Sequence, residues 1–240
     1  MRIYAREKIV MEKIPFKKMT GTEFALFCLM AVASGVIIGI GGVSSLVANA
    51  RLGEWGKLIG AILFSLGIFA IVSFEMKLFT GMVADIPTLG FKNSWQLPVC
   101  FICNALGVAV AAALAYYSPA SEILLSNAGK VVENKLNVDD WAIRALCSSI
   151  LCGMLITISV KARFYAPQKG LSPTTGVILP IIVFAFCGFD HSVANMLYFY
   201  YLGEASWRVT GYILLTILGN TVGGLTLPVV SLLRGKAMLQ

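Results

Sequence analysis

The chain has 240 residues, 58% of them hydrophobic and only 13% charged, with a mean hydropathy of +0.83, whereas a soluble domain usually carries about 25% charged residues. No water-soluble fold of this length hides so much apolar side chain, so a soluble domain is excluded. The net charge of +7 fits basic flanks of membrane spans better than a nucleic-acid surface, and no nucleic-acid partner is expected.

In chain order, residues 1–22 read as a cytoplasmic arm carrying Arg2, Arg6, Lys8, Lys13, Lys17 and Lys18. The apolar run behind it is too long for a secretory signal and lacks a small-residue cleavage site, so no cleaved leader is expected. Ile9, Ile14 and Phe16 fit an interfacial helix or a gate, but a positive-inside anchor is the simpler reading. Apolar runs then predict six spans, at 24–48, 58–90, 97–117, 140–161, 173–201 and 209–233, each reaching the ~20 residues a bilayer core demands. Six crossings put both termini on one side. With the arm, Lys92, Lys161, Arg163, Lys169, Arg234 and Lys236, that side holds twelve of the nineteen Lys and Arg residues. It is therefore predicted to be the cytoplasmic face of a multi-pass protein of the cell membrane.

Within the first span, the glycines from Gly39 to Gly42 lack a preceding strand, so they read as a close helix contact and not as a nucleotide loop. The second span contains SFEMKLFTGMVAD and the fifth FCGFDHSVANM. Unbroken helices would place Glu75, Lys77, Asp190 and His191 in hydrocarbon, at roughly 2.5 to 3.5 kcal/mol per charge. A break in each helix relieves that cost, and Gly81 and Gly188 supply loose backbone for it. Asn104-Ala-Leu-Gly107 in the third span is echoed by Asn220-Thr-Val-Gly223 in the sixth. Three spans per half must enter the membrane from opposite sides, which predicts an inverted repeat with halves at about 23–117 and 139–234 inside one channel domain, 23–240.

Between the halves, the outward loop from Ser118 to Asn137 carries Lys135, which spacing alone reads as a solvated lysine. Arg144 lies four residues after Asp140 and predicts an i,i+4 ion pair. All six cysteines fall in apolar runs, where a thiol behaves as a small hydrophobe. A single histidine cannot assemble a metal site, so neither metal nor cofactor is expected.

His191 is the only histidine. Inside a span, beside Asp190 and four residues before Asn195, it is a candidate proton donor or acceptor, against the plainer reading of a neutral ring bonded between helices. Thr80, after Leu78 and Phe79 at the other break, offers a hydroxyl to a solute, to the imidazole or to freed backbone. Phe79 and Phe184 flank the midpoint, as apolar constrictions or as packing.

The LFTG of Leu78 to Gly81, the GFDHSVANM of Gly188 to Met196 and the paired Asn-x-x-Gly elements resemble the formate/nitrite transporter (FNT) family of pentameric anion channels, over essentially the whole chain. The resemblance implies an all-α, aquaporin-like protomer of six helices, the second and fifth broken, assembled as a homopentamer with one pore per protomer. It casts His191 as the central pore histidine, Thr80 as its partner and Asn195 as a residue fixing the imidazole environment. Phe79, Phe184 and Leu78 then fall at the constrictions, joined by Phe64 and Ile68 on the preceding half-helix, and Lys135 resembles an anion-attracting vestibule lysine. Two departures stand out: Lys77 occupies a position usually acidic, and Ser149 one usually Asn.

These features predict a passive, pH-sensitive channel for small monovalent anions of the formate, nitrite or hydrosulfide class, and not an enzyme. Two routes fit: proton transfer from His191 with passage of the neutral acid, or passage of the charged anion held by donors. A neutral-solute channel is disfavoured by the absence of an Asn-Pro-Ala pair. An intramembrane enzyme using His191 and Asp190 lacks an evident nucleophile.

Overall fold

The computed structural model describes residues 19–167, 170 and 172–237. The anchor or gate expected of residues 1–18 lies outside the described residues, as does Lys169. Helix α1 (Gly21–Arg51) starts where it does because Thr20 and Glu23 form a reciprocal capping box: the Thr20 hydroxyl accepts the Glu23 N–H and the Glu23 carboxylate accepts the Thr20 N–H. Helix α2 (Gly56–Ser73) then stops short. The chain runs unwound through Glu75, whose φ is +55°, and resumes as the single turn α3 (Phe79–Met82) and the short α4 (Ile86–Leu89). Helix α5 (Gln96–Tyr116) follows.

Residues read as an outward loop form helix α6 (Ser121–Leu136) instead. Leu124 and Ala128, one turn apart, are buried, while Glu122, Lys130 and Glu133 are exposed. At 16 residues with a polar face, this helix escapes a search for apolar runs of spanning length. Helix α7 (Trp141–Tyr165) carries the Arg144–Asp140 pair at 2.7 Å. Helix α8 (Pro173–Cys187) begins at a Ser172 cap and ends on Gly188, whose φ of +73° is the left-handed C-terminal stop that glycine adopts at least cost. Residues 189–195 are non-helical before α9 (Met196–Leu202), and α10 (Trp207–Ala237) closes the chain.

Gly188 thus serves its break as expected, but Gly81 does not. It lies inside α3 at an ordinary φ, and its bare Cα leaves room for Val160, 3.2 Å from where a Cβ would stand. The left-handed residue of that break is Glu75.

Helix α1 packs on α2 and α5, α7 on α8 and α10, and α2 against α8. Two of these crossings bring backbone onto backbone. A Cβ on Gly35 would meet the Asn104 carbonyl at 2.1 Å and one on Gly107 the Val32 carbonyl at 2.0 Å. In the other crossing, a Cβ on Gly153 would meet the Asn220 carbonyl at 2.4 Å and one on Gly223 the Ile150 carbonyl at 1.9 Å. Small residues permit this closeness in lipid, where packing must replace the hydrophobic drive. Gly39 abuts Ala111 and Gly42 abuts Leu197, the helix contact that the sequence indicated.

Leucines such as Leu26, Leu29, Leu66, Leu114, Leu179 and Leu214 are each more than half exposed, a belt larger than water tolerates. Among the described residues, five helices are long and apolar enough to cross a bilayer, joined by the shorter apolar α8. The protein is an all-α integral membrane protein. Its cysteines are free thiols, and among the described residues no group of His, Cys, Asp and Glu could hold a metal ion.

Candidate pore site

An unwound segment inside a membrane protein leaves backbone N–H and C=O groups that must find partners. Two buried asparagines supply them. Asn104 on α5 accepts the Phe79 N–H on Oδ1 at 2.8 Å and donates from Nδ2 to the carbonyls of Lys77 at 2.9 Å and Ala31 at 2.7 Å. Asn220 on α10 accepts the Ser192 N–H at 2.8 Å and donates to the carbonyls of Asp190 at 2.9 Å and Ser149 at 2.8 Å. Each therefore ties one break to a neighbouring long helix by the same three bonds. The Ser149 hydroxyl itself bonds to Ala145 and Leu146 on its own helix, so it is the carbonyl of that residue that serves the site.

Held in this way, the two breaks touch. Thr80 Oγ1 lies 2.8 Å from His191 Nε2, and both residues are about 1% exposed. The other ring nitrogen, Nδ1, accepts the Ala194 N–H at 3.1 Å. A nitrogen receiving a backbone N–H carries no proton, so the neutral ring holds its hydrogen on Nε2 and donates it to Thr80. The Thr80 hydroxyl hydrogen is then free to point elsewhere. Protonating His191 requires the Ala194 bond to open.

Asn195 does not touch the imidazole side chain. Its Nδ2 donates to Asp190 Oδ1 at 2.9 Å and to the Tyr212 hydroxyl at 2.8 Å, and Tyr212 in turn donates to Asp190. Lys135 is no free solvated lysine: it pairs with Asp190 from the last turn of α6. Asp190 completes this set through its own N–H, which the Ser148 hydroxyl accepts at 2.9 Å. The Asp190 side chain is 7% exposed, so stripping it of its cation leaves a buried charge. Lys135→Met is expected to destabilise the fold by about 3 kcal/mol, read as a lower melting temperature in detergent. A shift within error would mean that Tyr212 and Asn195 satisfy the carboxylate unaided.

Two cavities approach the Thr80–His191 contact from opposite ends. One, of about 620 Å³, is lined by Lys135, Asp190, His191, Asn195, Tyr212, Phe64 and Phe184. The other, of about 390 Å³, is lined by Ile68, Leu78, Gly81, Lys77, Lys161 and Arg163. Phe184 stacks on the imidazole at 6.0 Å and receives Phe64 edge-on at 5.5 Å. Phe64 and Ile68 lie one turn apart on α2, each facing one cavity. Phe79 lines neither; its ring packs edge-on to Phe101 of α5 at 5.2 Å.

Sequence reasoning missed Tyr212, whose only signal is a phenol near the start of the last span that needs a partner. It also missed Lys57 and Lys130, which stand exposed around the larger cavity. The asparagines were visible as an echo, but not as clamps.

Comparisons with known proteins agree with this architecture. Over 190 residues the chain is 27% identical to the uncharacterized transporter YrhG of Bacillus subtilis (strain 168), covering 71% of this chain and 70% of that one. It is 29% identical over 183 residues to the formate channel FocA of Escherichia coli (strain K12), covering 70% of this chain and 62% of FocA. The fold matches a solved FNT family ion channel with a TM-score of 0.77 at 18% identity, over 97% of this chain and 96% of that one. It also matches a pentameric formate channel with formate bound, with a TM-score of 0.60 at 21% identity, over 92% and 96%. The formate/nitrite transporter family model matches residues 10–233, nearly the full length, and the chain belongs to that family.

Proposed function

We propose that this chain is a passive channel for small monovalent anions of the formate, nitrite or hydrosulfide class, with its path running between the two cavities past His191 and Thr80. The observation that carries this reading is the Thr80–His191 bond, a polar contact joining two helix interruptions between apolar rings. Phe64 and Phe184 form the constriction on one side of it and Ile68 and Leu78 on the other. Asn195, Asp190, Lys135 and Tyr212 position the His191 segment. Phe79 supports the constriction from behind, through Phe101.

The matching bonds of Asn104 and Asn220 support an inverted repeat of two three-span halves within one channel domain. Equivalent residues would then be Ala31 and Ser149, Lys77 and Asp190, and Phe79 and Ser192. Assembly as a homopentamer follows from the likeness to the pentameric formate channel. The excess of Lys and Arg around Lys92, Lys161 and Arg163 supports cytoplasmic termini in the cell membrane. Transport, not catalysis, accounts for a buried site with a cavity on either side of it.

An anion crossing the apolar rings loses water that nothing there replaces. It can cross protonated, or keep its charge and take hydrogen bonds from Thr80 and His191. Flux in proteoliposomes across formate, nitrite, hydrosulfide and larger acids at several pH values separates these routes. For formate, with a carboxyl pKa of roughly 4, passage as the neutral acid raises channel-dependent flux about tenfold for each unit of acidification between pH 7.5 and 5.5. Passage of the charged anion leaves it nearly flat. Water or glycerol flux without anion flux would overturn the anion reading.

A further inference from the structure

We propose that Lys77 is an anion-admitting group at the throat of the mouth opposite Lys135, its free ammonium meeting small monovalent anions just before the Leu78 constriction. The inference rests on the anion-channel reading above and adds to it a site on the cytoplasmic side.

The two clamps place Lys77 and Asp190 at equivalent points. The carbonyl of each accepts an asparagine Nδ2 at 2.9 Å, and each precedes by two residues the N–H that the same asparagine binds. The side chains carry opposite charges and meet opposite fates. Asp190 is met by Lys135, Asn195 and Tyr212, so its mouth is locally neutral at the throat. Lys77 has no acid partner among the described residues.

Nor can the rest of its cavity neutralise it. Four other charged residues line that space: Lys161 is held by Asp85 at 2.6 Å, and Arg163 by Glu75 at 2.9 Å. Both acids are engaged. Arg163 also donates to the Val72 carbonyl at 2.8 Å, which fixes the pair to the end of α2. Among the described residues the lining keeps one positive charge in excess, and that charge sits on the residue next to Leu78. Lys77 is partly buried, so its field is less screened than that of an exposed lysine. An ammonium has three donors, and among the described residues none of those of Lys77 is taken. An anion arriving here finds a counter-charge at the last place before water must be shed, which raises its local concentration where crossing begins.

Formate uptake into right-side-out and inverted membrane vesicles, in low and high salt, tests this. In inverted vesicles at low ionic strength, Lys77→Gln is expected to raise the half-saturating formate concentration about three- to tenfold. Lys77→Glu should raise it further, Lys77→Arg should restore it, and about 0.5 M salt should shrink the difference. Uptake into right-side-out vesicles should change less than twofold. Equal half-saturation in wild type and Lys77→Gln, or an equal change from both sides, would overturn the proposal. If the wild type carries none of formate, nitrite and hydrosulfide, the channel reading fails and the site is judged by binding alone. Anomalous diffraction from iodide-soaked crystals should then place an iodide beside the Lys77 ammonium in wild type and not in Lys77→Gln. No iodide there in wild type, or one that persists in the variant, overturns the site.

Discussion

Replacing Asn220 with Leu is expected to lower stability by about 4 kcal/mol and to abolish channel-dependent flux, the largest structural effect of any single polar substitution in the site. Leu branches as Asn does and is somewhat larger, so it leaves no cavity, and the loss combines missing hydrogen bonds with crowding at the 2.8–2.9 Å contacts. The Ser192 N–H and the Asp190 carbonyl lose the partner that Asn220 gives each of them, at about 1 to 3 kcal/mol for each buried group left unmatched. The Ser149 carbonyl loses an additional bond. Because the same segment carries His191 and Asp190, its release also separates Thr80 from the imidazole. Asn104→Leu should act alike through Lys77, Phe79 and Ala31. Thermal unfolding in detergent, followed by tryptophan fluorescence, measures both. A melting temperature within 2 °C of wild type for either variant would show that its break is held by packing alone. Releasing either clamp breaks the same Thr80–His191 bond, so the double variant should lose less than the sum of the two.

His191→Phe is the variant expected to alter transport most while leaving the fold in place. Phe184 already stacks on the imidazole, so a phenyl ring fits the site, and the ring of apolar side chains becomes continuous. An ion then crosses without the Nε2–H, and a hydrogen bond to a charged group is worth about 1.5 to 3 kcal/mol. Formate flux should fall about ten- to a hundredfold. Any pH dependence that the histidine imposes should vanish with it. Thr80→Val removes the hydroxyl but leaves Nε2–H free to meet the solute, so a smaller loss is expected, about three- to tenfold. Equal flux and an unchanged pH profile in both variants would remove these residues from the path. The local geometry gives the pH profile a physical origin: a second proton on the ring must displace the Ala194 N–H from Nδ1.

What could be read from the sequence divides along physical lines. The interruptions after Ser73 and Cys187 were legible because charges near mid-span have a known cost in lipid, and Glu75, Lys77, Asp190 and His191 announce it. The sites of close helix contact were legible in glycine spacing. Helix α6 was not, because its amphipathic pattern is too short and too polar to resemble a span. The pairing of Lys135 with Asp190 was out of reach, since no periodicity links residues 55 positions apart. Phe79 looked like a gate because it adjoins Thr80, but its direction is set by Phe101, a contact that only the packed structure supplies.

The three backbone groups that the Asn104 side chain binds lie between Ala31 and Phe79, and the three that the Asn220 side chain binds lie between Ser149 and Ser192. Each break therefore has an asparagine clamp from its own part of the chain, although Arg163 also binds Val72 and Glu75 at the first break. Such clamping frees the side chains of the clamped residues to diverge, because the clamps read backbone atoms and not side-chain identity. Opposite charges at Lys77 and Asp190 are the result. Under the proposed inverted repeat, the two ends of one passage can in this way acquire different electrostatic characters while their backbone clamps stay alike.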